Sequence, residues 1–183
     1  LIIYCLMGCC SFLYLYYEVK ICDIFAKESA KIGLLYTLIT LITGSLWAKP
    51  MWGTWWVWDA RLVSELILLF LYIGYCTLRS CINSNDFAGK YCAILNMVGL
   101  INIPIIHFSV TWWYTLHQGY TLKGFLNNSI SLEMLIPLIA VIFFSSLFYI
   151  SSVFYQSCTT ILLYEKDTNW VIQECQRGTI KLK

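Results

Sequence analysis

The chain has 183 residues, of which 60% are hydrophobic and 12% charged, with a formal net charge of +2 and a mean hydropathy of +0.71. That balance lies far outside the range of soluble domains, and so small and scattered a charge gives no basis for a nucleic-acid partner. Nine cysteines (Cys5, Cys9, Cys10, Cys22, Cys76, Cys81, Cys92, Cys158, Cys175) show no C-x-x-C spacing and read as apolar fillers or reduced thiols, not as a disulfide framework.

Five apolar runs follow one another, at about 1–17, 32–47, 62–78, 91–106 and 132–155. At 1.5 Å per residue each crosses or nearly crosses a hydrocarbon core of about 30 Å. Helices are expected, because lone strands would leave backbone groups unsatisfied in lipid. The expected fold is therefore an all-α integral membrane protein, one domain over 1–183, with a bundle of about five transmembrane helices. Five crossings put segments 18–31, 79–90 and 156–183 on one face and 48–61 and 107–131 on the other. The first group carries Lys20, Lys27, Lys31, Arg79, Lys90, Lys166, Arg177, Lys181 and Lys183; the second carries Lys49, Arg61 and Lys123. By the positive-inside rule the tail 156–183 is cytoplasmic and the second face looks outward.

The outward segments are the most informative. Trp52 to Arg61 read W-G-T-W-W-V-W-D-A-R, and from His107 the chain reads H-F-S-V-T-W-W-Y-T-L-H-Q-G. Seven of the eight tryptophans (Trp47, Trp52, Trp55, Trp56, Trp58, Trp112 and Trp113) thus fall on one membrane face, with both histidines, and Trp170 on the other. Interface anchoring by indole rings is the competing explanation for such residues. A flat apolar macrocycle with two carboxylates and a central iron, such as haem, wants aromatic faces, N–H or cationic donors and an axial nitrogen. Trp52, Trp55, Trp56 and Trp58 offer faces and donors, with Trp112 and Trp113 repeating the theme, and Arg61 offers a fork suited to a propionate. Asp59 would orient Arg61 or an indole N–H, or pair with Arg61 at a helix entrance, where an acid is favoured by the helix dipole. Glu65, one turn into its apolar run, has an open role; acids inside membranes tend to be functional or paired. His107, directly after Pro104-Ile105-Ile106, reads as a hydrogen-bonded interface histidine, with a supporting role beside the iron site as the sharper alternative.

The run G-S-L-W-A-K-P-M-W-G-T-W-W-V-W-D-A-R-L-V-S-E-L (Gly44 to Leu66), followed by I-P-I-I-H-F-S-V-T-W-W-Y-T-L-H-Q-G (Ile103 to Gly119), closely resembles the haem exporter protein C (CcmC) family of cytochrome c maturation. The resemblance extends over essentially the whole chain. It implies that the tryptophan-rich WWD signature forms a haem platform at the outer face, in the segments 48–61 and 107–131. It further implies that two outer-loop histidines ligate the iron and that haem, b-type and transiently bound, passes to the periplasmic chaperone CcmE. The small protein CcmD is an implied partner, and the ATP-driven CcmAB complex a further candidate. The histidine of T-L-H-Q-G matches His117, which becomes the expected metal ligand. The family has six helices; this chain starts at Leu1, and its first run matches the family's second helix. The first helix and first axial histidine are therefore expected to lie outside this sequence.

The implied compartment is the bacterial inner membrane, with the site on the periplasmic face; a mitochondrial copy would face the intermembrane space. Two other functions compete. A membrane subunit of a haem exporter is suggested by the family name, although no phosphate loop is present. A haem lyase like the sibling proteins would attach haem to C-x-x-C-H substrates. No catalytic dyad or nucleophile is visible, so the expectation is a carrier and not an enzyme.

Overall fold

A computed structural model describes residues 1–82, 84–113, 131–166, 168–169 and 171–172, and the described residues are all-helical with no strand. In chain order the helices are α1 (Ile2–Tyr17), α2 (Lys20–Trp52), α3 (Ala60–Cys81), α4 (Asn85–Gly99), α5 (Asn102–Trp112) and α6 (Leu132–Tyr164). Four stretches are long and apolar enough to cross a membrane: Lys20–Trp52, Ala60–Cys81, Asp86–Val110 and Leu132–Tyr164; Ile2–Tyr17 is a shorter apolar helix.

Local chemistry sets the boundaries. α1 stops where Glu18 turns left-handed at φ 54° and its N–H closes on the Tyr14 carbonyl at 2.9 Å. Only two residues intervene before α2, so segment 18–31, expected as a connection between spans, is instead helical from Lys20 onward. The reason lies in its composition: K-I-C-D-I-F-A-K-E-S-A-K contains good helix formers, with Asp23 in the first turn where the dipole favours an acid. At its far end α2 runs through Pro50 to Trp52 and ends at Gly53, whose φ of 78° is costly for any residue with a Cβ. The outward segment 48–61 is thus helical at its start, irregular from Gly53 to Asp59, and helical again from Ala60.

The fourth apolar run is broken in the middle. Pro104 has no N–H to give the Leu100 carbonyl, which takes Ile103 N–H at 3.1 Å instead, and the chain turns at Leu100 and Ile101 between α4 and α5. The other two prolines sit near helix ends, Pro50 in the last turn of α2 and Pro137 early in α6.

The core is a cluster of Tyr4, Met7, Ala30, Leu68, Tyr72, Tyr75, Cys92 and Ile106, drawn from α1 to α5. Tyr4 and Tyr72 meet edge to face with centroids 5.2 Å apart, and the Tyr72 ring lies so close to Gly33 that a Cβ there would overlap it. Polar ties bind the bundle where lipid offers no hydrophobic drive. Arg79 donates twice to Asp23, at 2.8 and 2.5 Å, with both side chains nearly buried. Glu28, fully buried, accepts from Lys31 at 2.5 Å and from Thr160 at 2.9 Å. Asn96 donates to Ser11 at 2.9 Å, and Asn102 to the Ser64 carbonyl at 2.9 Å. At the surface Lys90 donates to Glu18 at 2.9 Å, which holds the Glu18 carboxyl below its ordinary range.

α6 packs chiefly on α2. Tyr149 shares a hydrogen bond of 2.9 Å with Ser29, and Tyr36 donates to the Ser145 carbonyl at 2.7 Å. The rest of its surface is apolar and open, with Ile136, Phe144 and Phe154 each more than 60% exposed. For a soluble domain such a face would be an aggregation hazard; in a bilayer it meets acyl chains.

Candidate functional site

The chain reversal between α2 and α3 brings the tryptophan signature to one end of the bundle. Lys49 organises the turn: its ammonium donates to the Gly53 carbonyl at 3.1 Å and lies 5.7 Å from the Trp55 ring centroid. Asp59 begins α3, its Oδ1 accepting the Leu62 N–H at 2.8 Å as an N-cap. Its carboxylate therefore stabilises the helix entrance, and no Asp59–Arg61 ion pair occurs among the described residues.

Between α2, the turn and α3 lies a cavity of about 340 Å³. Trp47, Trp52, Trp55 and Trp56 supply its aromatic wall; Arg61 and Glu65 line it from α3 and Thr40 and Thr43 from α2. Trp47 and Trp52 pack edge to face at 5.3 Å. The indole Nε1 of Trp56 is buried with no hydrogen-bond partner among the described residues, and Arg61, exposed at the edge, makes no ion pair among them. An orphan N–H and an unspent guanidinium suit an anionic group on an apolar ligand. The volume lies at the low end for ligand pockets, so a macrocycle the size of haem would seat one edge and leave the other outside.

Not every expected residue lines this cavity. Trp58 is 78% exposed and touches Trp56 with centroids 5.7 Å apart, outside the cavity wall. Trp112 and Trp113 end α5, which runs antiparallel to α3 and so delivers them to the same end of the bundle. Trp112 stacks on Phe108 at 5.1 Å and meets Trp113 at 6.0 Å, both exposed, and neither lines the cavity. His107 packs edge-on to Phe108 at 4.9 Å. His117, the expected iron ligand, and the rest of 114–130 lie outside the described residues.

Sequence reasoning did not place Trp47 in the site, nor the hydroxyl stripe of α2. The signal was present: Thr40, Thr43 and Gly44 recur at helical spacing inside an apolar run. Glu65, whose role the sequence leaves open, lines both this cavity and a larger one of about 740 Å³ between α1, α2, α3 and α6.

The family model described as "Heme exporter protein C" (CcmC) matches residues 1–172. The chain belongs to this family. "Heme exporter protein C" of Escherichia coli K12 is 44% identical over 169 residues, covering 92% of the chain and 68% of that relative. A "Putative cytochrome c biosynthesis ccmC-like mitochondrial protein" of Marchantia polymorpha is 46% identical over 155 residues, 85% of the chain and 64% of the relative. The Haemophilus influenzae "Heme exporter protein C" is 45% identical over 141 residues, 77% of the chain and 57% of the relative. The chain thus spans 57–68% of the length of these three relatives. As a CcmC-family member with these apolar helices it is an integral membrane protein.

Proposed function

We propose that this protein handles haem for cytochrome c maturation, holding it at the outer tryptophan face and releasing it to the periplasmic chaperone CcmE. The observation that carries the reading is the cavity of Trp47, Trp52, Trp55 and Trp56, with Arg61 at its edge and the unpartnered Trp56 N–H in its wall. Haem is cargo in this reading, b-type and transiently bound. Trp52, Trp55 and Trp56 stack on one edge of the macrocycle and Arg61 receives a propionate, while Asp59 fixes the start of α3 and hence the position of Arg61. Trp58, Trp112 and Trp113 form an exposed aromatic rim against which the chaperone docks. His117 is the proposed iron ligand, and CcmD and the CcmAB complex are the proposed membrane partners. The protein acts as a carrier platform, not an enzyme, in the bacterial inner membrane or its mitochondrial counterpart.

A shallow, half-open seat favours transfer over storage, because a ligand whose edge stays exposed can be gripped by a second protein before the first lets go. The test is the absorption spectrum of the protein purified from membranes with haem supplied, beside His117→Ala. The expected result is a Soret band that weakens or shifts in the variant; an identical band in both would remove His117 as ligand. Absence of haem from both, with the protein folded, would overturn the platform itself.

A further inference from the structure

At the end of the bundle opposite the tryptophans, α2 and α3 enclose a cavity of about 400 Å³ lined by Lys27, Lys31, Tyr75, Cys76, Arg79 and Ser80. Its wall carries three cations and no carboxylate among the described residues. The acids that serve those cations stand outside it: Asp23 holds the Arg79 guanidinium and Glu28 holds the Lys31 ammonium, and neither lines the cavity. Asp23 takes two of the five N–H groups of the Arg79 guanidinium and Glu28 one of the three of the Lys31 ammonium. Lys27 rests 5.6 Å from the Tyr164 ring centroid and has no ion pair among the described residues.

The level of this cavity in the membrane follows from the sequence. Lys31 is the last charge before the apolar run of α2, and Arg79 lies in the last turn of α3. Both therefore sit where hydrocarbon gives way to headgroups. α2, at 33 residues, spans about 50 Å against a core of about 30 Å, so its charged turns necessarily stand in the polar layer. On the helical stripe of Lys31, Leu35 and Leu38 are more than 40% exposed, as is Ile42, giving an apolar track that leads from the cations into the core.

We propose that this cavity binds the headgroup of an anionic phospholipid, its phosphate held by Lys27, Lys31 and Arg79 and one acyl chain lying along Leu35, Leu38 and Ile42. Basic pockets between helices at the membrane boundary have the chemistry for such headgroups. The site is independent of the haem reading and survives its failure.

Cys76 in the wall provides the probe. The whole protein is reconstituted in phosphatidylcholine bilayers with and without phosphatidylglycerol; alkylation of Cys76 is read by peptide mapping, and co-purified lipid is counted by native mass spectrometry. The expected result is slower Cys76 alkylation and a retained phosphatidylglycerol, with retention falling about fivefold in Lys27→Gln or Lys31→Gln and more than tenfold in the double variant. Lys90→Gln, at an exposed pair with Glu18 outside the cavity, should leave both readouts unchanged. Equal retention of phosphatidylcholine, or an equal loss in Lys90→Gln, would overturn the proposal. Protection of Cys76 by inorganic phosphate alone, as strong as by phosphatidylglycerol, would make this a soluble-anion site and overturn the lipid assignment.

Discussion

Trp56 carries a donor that its own fold leaves unused. Its Nε1 is buried without a partner among the described residues, a state costing about 1–3 kcal/mol that a bound anion would relieve. Trp56→Phe keeps an aromatic face and deletes the N–H. The expected outcome is an apo protein at least as stable, with haem affinity reduced about tenfold, the scale of one hydrogen bond to a charged group; thermal unfolding and haem titration check the two halves separately. Asp59 behaves in the opposite way. Asp59→Ala should lose about 1 kcal/mol through the missing cap, while Asp59→Asn should keep most of it, as read by thermal melts in detergent. The sequence made the tryptophan cluster and Arg61 legible because four indoles between apolar runs have few uses. It left Asp59 divided between orienting Arg61 and serving the helix entrance, since neighbouring residues two apart are equally compatible with either until the Leu62 N–H is seen to point at the carboxylate.

Between helices, α2 and α3 are joined by one buried ion pair and one tight ring contact. Removing Asp23 leaves Arg79 charged, nearly buried and without its acid, so Asp23→Ala should cost about 3–5 kcal/mol. The double replacement Asp23→Ala with Arg79→Leu should cost much less than the sum of the single changes. Equilibrium unfolding of the four proteins closes that cycle. Gly33→Ala sets a Cβ into the Tyr72 ring and should cost about 1–3 kcal/mol by overpacking, with Tyr72→Leu restoring part of the loss. None of these partnerships was legible beforehand. Asp23 and Arg79 lie 56 positions apart, and hydropathy alone treats the charged turns of 18–31 as a loop. Only when Arg79 and Thr160 are found to satisfy Asp23 and Glu28 does a continuous helix become the cheaper arrangement. The break at Leu100 and Ile101 is the reverse case: Pro104, in the first turn of α5, marks it in the sequence.

For the whole molecule, the all-helical membrane fold was readable from hydropathy, because the bilayer permits so few alternatives. The arrangement of helices was not, because lipid-facing and helix-facing positions are equally apolar. The asymmetry of Lys and Arg gives an orientation that labelling can test. Cys81, exposed at the last residue of α3, should react with a membrane-impermeant maleimide in inverted vesicles and stay unlabelled in right-side-out ones; the reverse pattern would turn the tryptophan face toward the cytoplasm. The single-sided attachment of α6 bears on how the protein is made. It follows α1 to α5 in the chain, and those five helices share a core cluster that has no α6 residue among its members. The described helices can therefore assemble in two stages, α1 to α5 first and then α6 onto the waiting Ser29, Tyr36 and Glu28. During that interval Lys31 alone escorts the Glu28 carboxylate, so an intermediate still waiting for α6 does not carry that acid unpaired into the lipid.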